Sequence, residues 1–347
     1  MKQERWNPAF FTVTTGMLLF LFFPSAVAEG VRSGLTLCVR VLIPSLFPVS
    51  VLTGCMIRMG VARLFSQRFF PWLGRFVGLS GAGMLPFLLG LLGGFPLGAQ
   101  MLAELYQNGS LNRREALRAQ VLCNNAGPAF LIGAVGSGIF GQPELGAALL
   151  VIQLLSAWTA GLLLRGPAGV PPKASKPPAE KSVPFSKAFF AALDASAKAM
   201  LRLTATVSFF SAVMACIASV LPLGQLSPPV QAGVTGFLEL SGGTALLSGM
   251  ERGTAFVLSA AMTAWGGLCV HAQALQAFSP AGLPSGKYVA AKLLQAGLSA
   301  ALALIVLSFD RVPLLCAGLL LLGVSAISVF LRISVKIHWK SKKPVVQ

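Results

Sequence analysis

The chain has 347 residues, of which 55% are hydrophobic and 11% charged, with a mean hydropathy of +0.77. A soluble domain carries roughly 25% charged residues, so this composition excludes an ordinary soluble fold and indicates a polytopic α-helical membrane protein. The net charge of +17 comes from Lys and Arg lying between and beyond the apolar runs; this is the pattern of cytoplasmic loops, and without an aromatic-basic motif it gives no nucleic-acid surface.

Residues 1–28 begin with Lys2 and Arg5, continue as an apolar run from Pro8 to Val27, and end in Ala26-Val27-Ala28 before Glu29. The ending fits a signal-peptidase site and the length fits a retained first transmembrane helix; the length favours the helix. Residues 34–57 form a second span carrying Pro44 and Pro48. Arg58, Arg63, Arg68 and Arg75 then mark a cytoplasmic loop without an acid.

Residues 80–103 are interrupted at Gly93-Gly94-Phe95-Pro96, and the stretch from Asn108 to Gln120 again carries arginines, at 113, 114 and 118. An apolar segment with cytoplasmic sequence at both ends is expected to enter and return as a re-entrant hairpin. Asn112 reads as a helix N-cap with Glu115 in the capping-box position. The helix it starts runs outward through 121–140, interrupted at Asn124-Asn125-Ala126-Gly127-Pro128, and 144–164 returns. Proline lacks an N–H and glycine weakens a helix, so each interruption frees backbone groups. In lipid these are tolerable only where protein or a water-filled cavity surrounds them.

Residues 165–187, rich in Pro and Lys, form a cytoplasmic linker that separates two halves, 34–164 and 188–308. In the second half Phe189–Arg202 reads as an amphipathic interfacial segment leading into a span that ends at Leu221. Residues 230–249 are interrupted at Ser241-Gly242-Gly243-Thr244, just after Glu239. Residues 254–276 are interrupted at Trp265-Gly266-Gly267 and carry His271 and Gln273. Spans at 287–308 and 312–331 precede a basic tail, 332–347. The tail returns to the cytoplasm if 230–249 is a hairpin entered from outside. Each half then reads span, broken hairpin, broken span, span, in opposite orientations. This is the inverted repeat of many transporters, whose site lies at the repeat interface.

The six cysteines (Cys38, Cys55, Cys123, Cys216, Cys269, Cys316) form no CxxC pair, and the two histidines have no metal-site spacing. No metal, cofactor or nucleotide-binding loop is expected, and no nucleophile–base cluster suggests an enzyme.

The segments GGFPLGAQMLAEL, CNNAGPAFLIGAVGSGIFG, FLELSGG and AWGGLCVHAQ, in this order and spacing, resemble the YlbJ-type sporulation integral membrane proteins (stage V sporulation protein V). Their core is the nucleoside recognition or Gate domain. The resemblance covers most of residues 35–310; the second glycine before Thr244 departs from the pattern. It implies two Gate-like halves with the core of the concentrative nucleoside transporters. It also implies transport of dipicolinic acid across the outer forespore membrane during endospore formation, with a second copy of the chain or other sporulation membrane proteins as partners.

The expected substrate-binding residues are those of the four interruptions: Gly93, Gly94, Phe95 and Pro96; Asn124, Asn125 and Gly127; Ser241, Gly242, Gly243 and Thr244; Trp265, Gly266 and Gly267. Half-helix N-termini there would offer N–H donors to a carboxylate, and Trp265 could stack on an aromatic ligand or simply pack. Asn124 and Asn125 could bind cargo or satisfy backbone freed by Pro128. Glu239, His271 and Gln273 are candidates for coupling or gating. Arg40, Arg202 and Lys292 read as helix-end residues that snorkel to lipid headgroups, any of which could supply a counter-charge. Two other readings stand beside the anion transporter: a nucleoside-type transporter, and a non-transporting membrane scaffold of a sporulation complex.

Overall fold

The computed structural model of the protein describes residues 8–59, 74, 76–165 and 183–308. The expected 312–331 span, the 332–347 tail, Arg63, Arg68, Arg75 and most of the linker lie outside them. Every regular element among the described residues is helical.

Helix α1 (Pro8–Phe22) meets α2 (Pro24–Leu37) at a 98° bend. Pro24 opens α2, where its fixed φ suits a first turn and its missing N–H costs nothing. The first helix therefore turns at Phe23 rather than near residue 28, and Glu29 lies inside α2, paired with Arg32 at 2.9 Å. A π-type stretch, Cys38–Leu42, joins α2 to α3 (Ile43–Arg58). Pro44 cannot donate to the carbonyl one turn before it, and the wider turn accommodates that lost bond.

The first hairpin is α4 (Gly81–Gly93) and α5 (Leu97–Gln107), packed side by side. Ser80 caps α4 through the Gly83 N–H. Asn112 caps α6 (Arg113–Ala119) through the Glu115 N–H, as its sequence position predicts. The Glu115 carboxylate does not close the capping box on Asn112; it accepts from the Ser80 N–H at 2.7 Å and ties α6 to the start of the hairpin. After an irregular stretch come α7 (Ala129–Ile139), wound as a π-type helix, and α8 (Pro143–Leu163).

The second half comprises α9 (Phe185–Val220), α10 (Pro228–Leu238), α11 (Leu240–Ala245), α12 (Arg252–Trp265), α13 (Gly267–Phe278) and α14 (Gly286–Ser308). Helix α9 is continuous for 36 residues, about 54 Å at 1.5 Å per residue. Phe189–Arg202 is thus the first part of this helix and not a separate interfacial segment. Its small residues Ala188 and Ala192 bury against Val51 and Cys55 of α3, which holds it upright.

Four units are long and apolar enough to cross a membrane: α8, α9, α12 with α13, and α14; the bent α1–α2 pair makes a fifth. The described fold is therefore a multi-helix membrane bundle. In element order, both halves run from helix to helix pair to interrupted segment to spanning helix. Helix α9 lies along α2 and α3, and α14 lies along α8, so each half's first span meets the other's first and its last meets the other's last.

Without a hydrophobic force between helices in lipid, close backbone packing by small residues holds the bundle. Gly30 and Gly34, one turn apart on α2, sit directly on α9: a Cβ on Gly34 would lie 2.7 Å from the Ser208 Cα, and one on Gly30 2.6 Å from that of Ala212. Gly34→Leu is expected to destabilise the bundle by about 2 kcal/mol through overpacking. Gly16→Leu, where nothing lies within 4 Å, should be neutral. Thermal unfolding of the detergent-solubilised variants measures both.

Candidate functional site

The four interruptions pack in two pairs. Gly94, at φ +71, rests against Gly127, so that a Cβ on Gly127 would stand 2.9 Å from the Gly94 nitrogen. In the second half Gly267, at φ +78, faces the Gly236 and Leu238 carbonyls and the Leu240 nitrogen. The pairs meet where the Phe95 ring reaches Gly266, 3.4 Å from the position a Cβ would take. Hairpin one thus leans on the interrupted segment of its own half, hairpin two does the same, and the two assemblies touch.

Between them lies a narrow central cavity of about 40 Å³, room for about three water molecules. Gly94 and Phe95 of the first interruption line it, with Gly127 of the second and Glu239 and Ser241 of the third. Cys269, Val270 and Gln273 of α13 close it. Of the expected site residues the structure therefore brings Gly94, Phe95, Gly127, Ser241, Glu239 and Gln273 to one cavity.

The others serve the walls. Gly93 is buried beneath Leu97, and Gly243 sits on the Gly236 backbone. The Glu239 carboxylate caps α11, accepting from the Ser241 N–H at 2.9 Å and from the Gly242 N–H. The second hairpin tip, expected to offer free donors to a ligand, is already occupied by the chain's own carboxylate. Trp265 donates its indole N–H to the Phe237 carbonyl at 2.9 Å, and its ring stacks on Phe237 with centroids 5.1 Å apart. The His271 ring lies 4.1 Å from it on centroids, with Nε2 3.1 Å from the Trp265 carbonyl oxygen. The Trp265 face is filled by packing.

Asn124 and Asn125 are fully buried and do not line the cavity. Asn125 donates to the Leu122 carbonyl at 2.6 Å, satisfying backbone of the interrupted stretch, and Asn124 donates to the Tyr288 hydroxyl at 2.8 Å. Lys292 is also fully buried, so it does not snorkel; its amine donates to Gln295 Oε1 at 2.7 Å and Asn125 Oδ1 at 3.3 Å. Gln295 donates to Asn125 Oδ1 at 3.1 Å, and Ser299 meets Ser156 of α8 at 2.7 Å. The 288, 292, 295, 299 spacing is a polar stripe on one face of an apolar helix, a periodicity visible in the sequence.

Two further cavities adjoin the central one and are built alike. One, of about 560 Å³, is lined by Arg40 and Pro44 of the first span, Phe130 and Ala134 of α7, and Ser241 and Thr244 of the second hairpin. The other, of about 60 Å³, is lined by Arg202 of α9, Gln273 and Gln276 of α13, and Pro96 and Gln100 of the first hairpin. Each combines the first span and the far arm of the interrupted segment of one half with the far arm of the other half's hairpin. The first shares Leu42, Phe130 and Ser241 with the central cavity, and the second shares Leu203 and Gln273. Both arginines lie mid-helix rather than at helix ends.

No protein-family model and no solved structure matches the chain. Among curated proteins, it is similar to the sporulation integral membrane protein YlbJ of Bacillus subtilis (strain 168), at 31% identity over 142 residues. The match takes in 41% of this chain and 35% of that protein, so it spans about a third of the relative's length. It bears out the YlbJ-type resemblance, and with the apolar helices it supports a multi-pass membrane protein.

Capping by Glu239 is open to direct test. Glu239→Leu leaves two N–H groups without their acceptor and is expected to cost about 2 kcal/mol, whereas Glu239→Gln, keeping one acceptor, should cost about half of that. The order of thermal midpoints in detergent, wild type above Gln above Leu, is the readout.

Proposed function

We propose that the chain is a membrane carrier for a small organic anion. Dipicolinate is the proposed cargo and the outer forespore membrane of an endospore former the proposed location. The observation that carries this reading is the convergence of four helix starts on the central cavity. Helices α5, α7, α11 and α13 all begin at its wall, and each N-terminus carries a partial positive charge from the peptide dipoles. No side chain caps α5, α7 or α13. A carboxylate entering there would find donors and positive potential already oriented.

The two flanking cavities support the carrier reading. Their matching construction is what an inverted repeat around a midplane site would produce, with one cavity toward each side of the membrane. Each carries an arginine that could gather anions before they reach the centre. The central cavity holds only a few waters, so in this reading the structure corresponds to the closed intermediate of alternating access, and the hairpin arms separate to admit cargo.

Dipicolinate, a planar aromatic dianion, matches a cavity with apolar walls from Phe95, Phe130 and Leu240 and with helix starts around it. The similarity to a sporulation integral membrane protein supports a place in that process. Glu239 holds the α11 N-terminus that a cargo carboxylate would otherwise use. Its protonation would leave one acceptor oxygen and free one of those donors, which makes it the proposed coupling group. This reading assigns no chemical catalysis to the chain.

Saturable uptake of labelled dipicolinate into proteoliposomes is the expected result. Arg40→Gln and Arg202→Gln should each lower uptake at low cargo concentration by about tenfold, with the loss shrinking as salt is raised. Uptake of uridine in place of dipicolinate would move the cargo to nucleosides. No saturable uptake of either, under any ion or pH gradient, would reject the carrier reading in favour of a scaffold.

A further inference from the structure

Lys292 raises a question of charge. Its amine is enclosed by protein, and both of its acceptors, on Gln295 and Asn125, are neutral amide oxygens. Among the described residues the ion pairs are Arg32–Glu29 and Lys198–Asp194, and no carboxylate reaches Lys292. The titratable groups near it are Cys123 from the irregular stretch, His271 from α13 and Tyr288 from its own helix, none of them a standing negative charge. A buried ammonium without a counter-ion is one of the most expensive arrangements a membrane protein can hold, and such groups mark sites of function.

The missing negative charge has an obvious place to come from. Asn125, which accepts from Lys292, is two residues from Gly127 in the cavity wall; His271 is two residues from Gln273, also in that wall. Lys292 is therefore joined to the wall through Asn125 and the turn at 124–127. Asn125 and Gln295 are buried, so a charge on the amine is screened less at this wall than it would be in bulk water. Other buried polar atoms on this side lack partners: Asn124 Oδ1, Gln153 Nε2 and His271 Nδ1.

We infer that Lys292 is the positive charge that makes the central cavity select an anion, its amine carried as an ammonium when an anion occupies the cavity and acting through the Asn124–Gly127 turn rather than by contact with the cargo. This rests on the carrier reading above. It gives the counter-charge, which the sequence leaves open among Arg40, Arg202 and Lys292, to Lys292 as a specificity role. Asn125 and Gln295 are then positioning residues that hold the amine against the wall.

The test compares dipicolinate with its neutral isostere, pyridine-2,6-dicarboxamide, as competitors of labelled dipicolinate uptake into proteoliposomes. Wild type should be inhibited by unlabelled dipicolinate at a much lower concentration than by the dicarboxamide. In Lys292→Gln that ratio of half-inhibiting concentrations should fall by about tenfold, chiefly through loss of dipicolinate affinity. Asn125→Asp, which keeps the lysine but gives it an internal carboxylate, should lower the ratio in the same direction and covers the case in which Lys292→Gln fails to insert. An unchanged ratio in an inserted, active variant overturns the inference and leaves the carrier reading intact. Absence of dipicolinate uptake by wild type overturns both.

Discussion

Everything in this structure depends on one constraint: backbone N–H and C=O groups inside a membrane must find partners within the protein. Four interrupted segments free many such groups around one small cavity. They are reconciled by pairing: the Gly94 turn lies on Gly127, and the Gly267 turn lies on the 236–240 backbone. Side chains complete the task. Glu239 takes two N–H groups of α11, Asn125 donates to Leu122, Trp265 donates to Phe237, and His271 bonds the Trp265 carbonyl. Residues that a functional reading would assign to cargo are to a large extent engaged in keeping the interruptions satisfied. What remains unpaired at the centre is then informative, because the surrounding chemistry has been closed with care.

The interruptions were legible in the sequence because Gly and Pro state their effect locally: no neighbour can restore the N–H that Pro96 or Pro128 lacks. The N-cap at Asn112 was legible for the same reason. The long helices were legible from apolar length alone. The division of labour at each interruption was not. Whether Asn125 faces cargo or backbone depends on where α14 passes, 167 residues later in the chain as the Lys292 contact spans it. The bend at Phe23 and the continuity of α9 escaped for a related reason. Charge bias reports which side a loop occupies, but it does not report whether a helix continues past a charged residue when a neighbour such as α3 offers a small-residue groove.

Arg40, Arg202 and Lys292 show the limit most clearly. A cation in an apolar helix has one default reading, snorkelling, and it is derived from helix position alone. In the fold the two arginines line equivalent cavities, while Lys292 is sealed inside. The polar stripe of Tyr288, Lys292, Gln295 and Ser299 was the available clue, since four polar groups on one face of a lipid-embedded helix must meet something polar. Its partners on α8 and on the Asn124-Asn125 stretch could not be named without the packing of α14 against α8.

The two halves, alike in element order and in the cavities they build, are unlike in charge. The second hairpin carries its own carboxyl group, Glu239, at the tip; the first has Pro96 at the corresponding position before α5, with no side-chain cap. The buried cation belongs to α14, and the corresponding last span of the first half, α8, contributes Gln153 and Ser156 to the same cluster but no charge. Glu239 lines the central cavity from the second hairpin, and Lys292 is joined through Asn125 to the turn that brings Gly127 to the same cavity. Under the proposed carrier function, the carboxylate and the amine that adjoin the cavity therefore belong to different elements, and neither is matched by an ionisable residue at the corresponding place in the first half. Any direction in the field that cargo would meet then comes from these two side chains and from their protonation, not from the order of the helices.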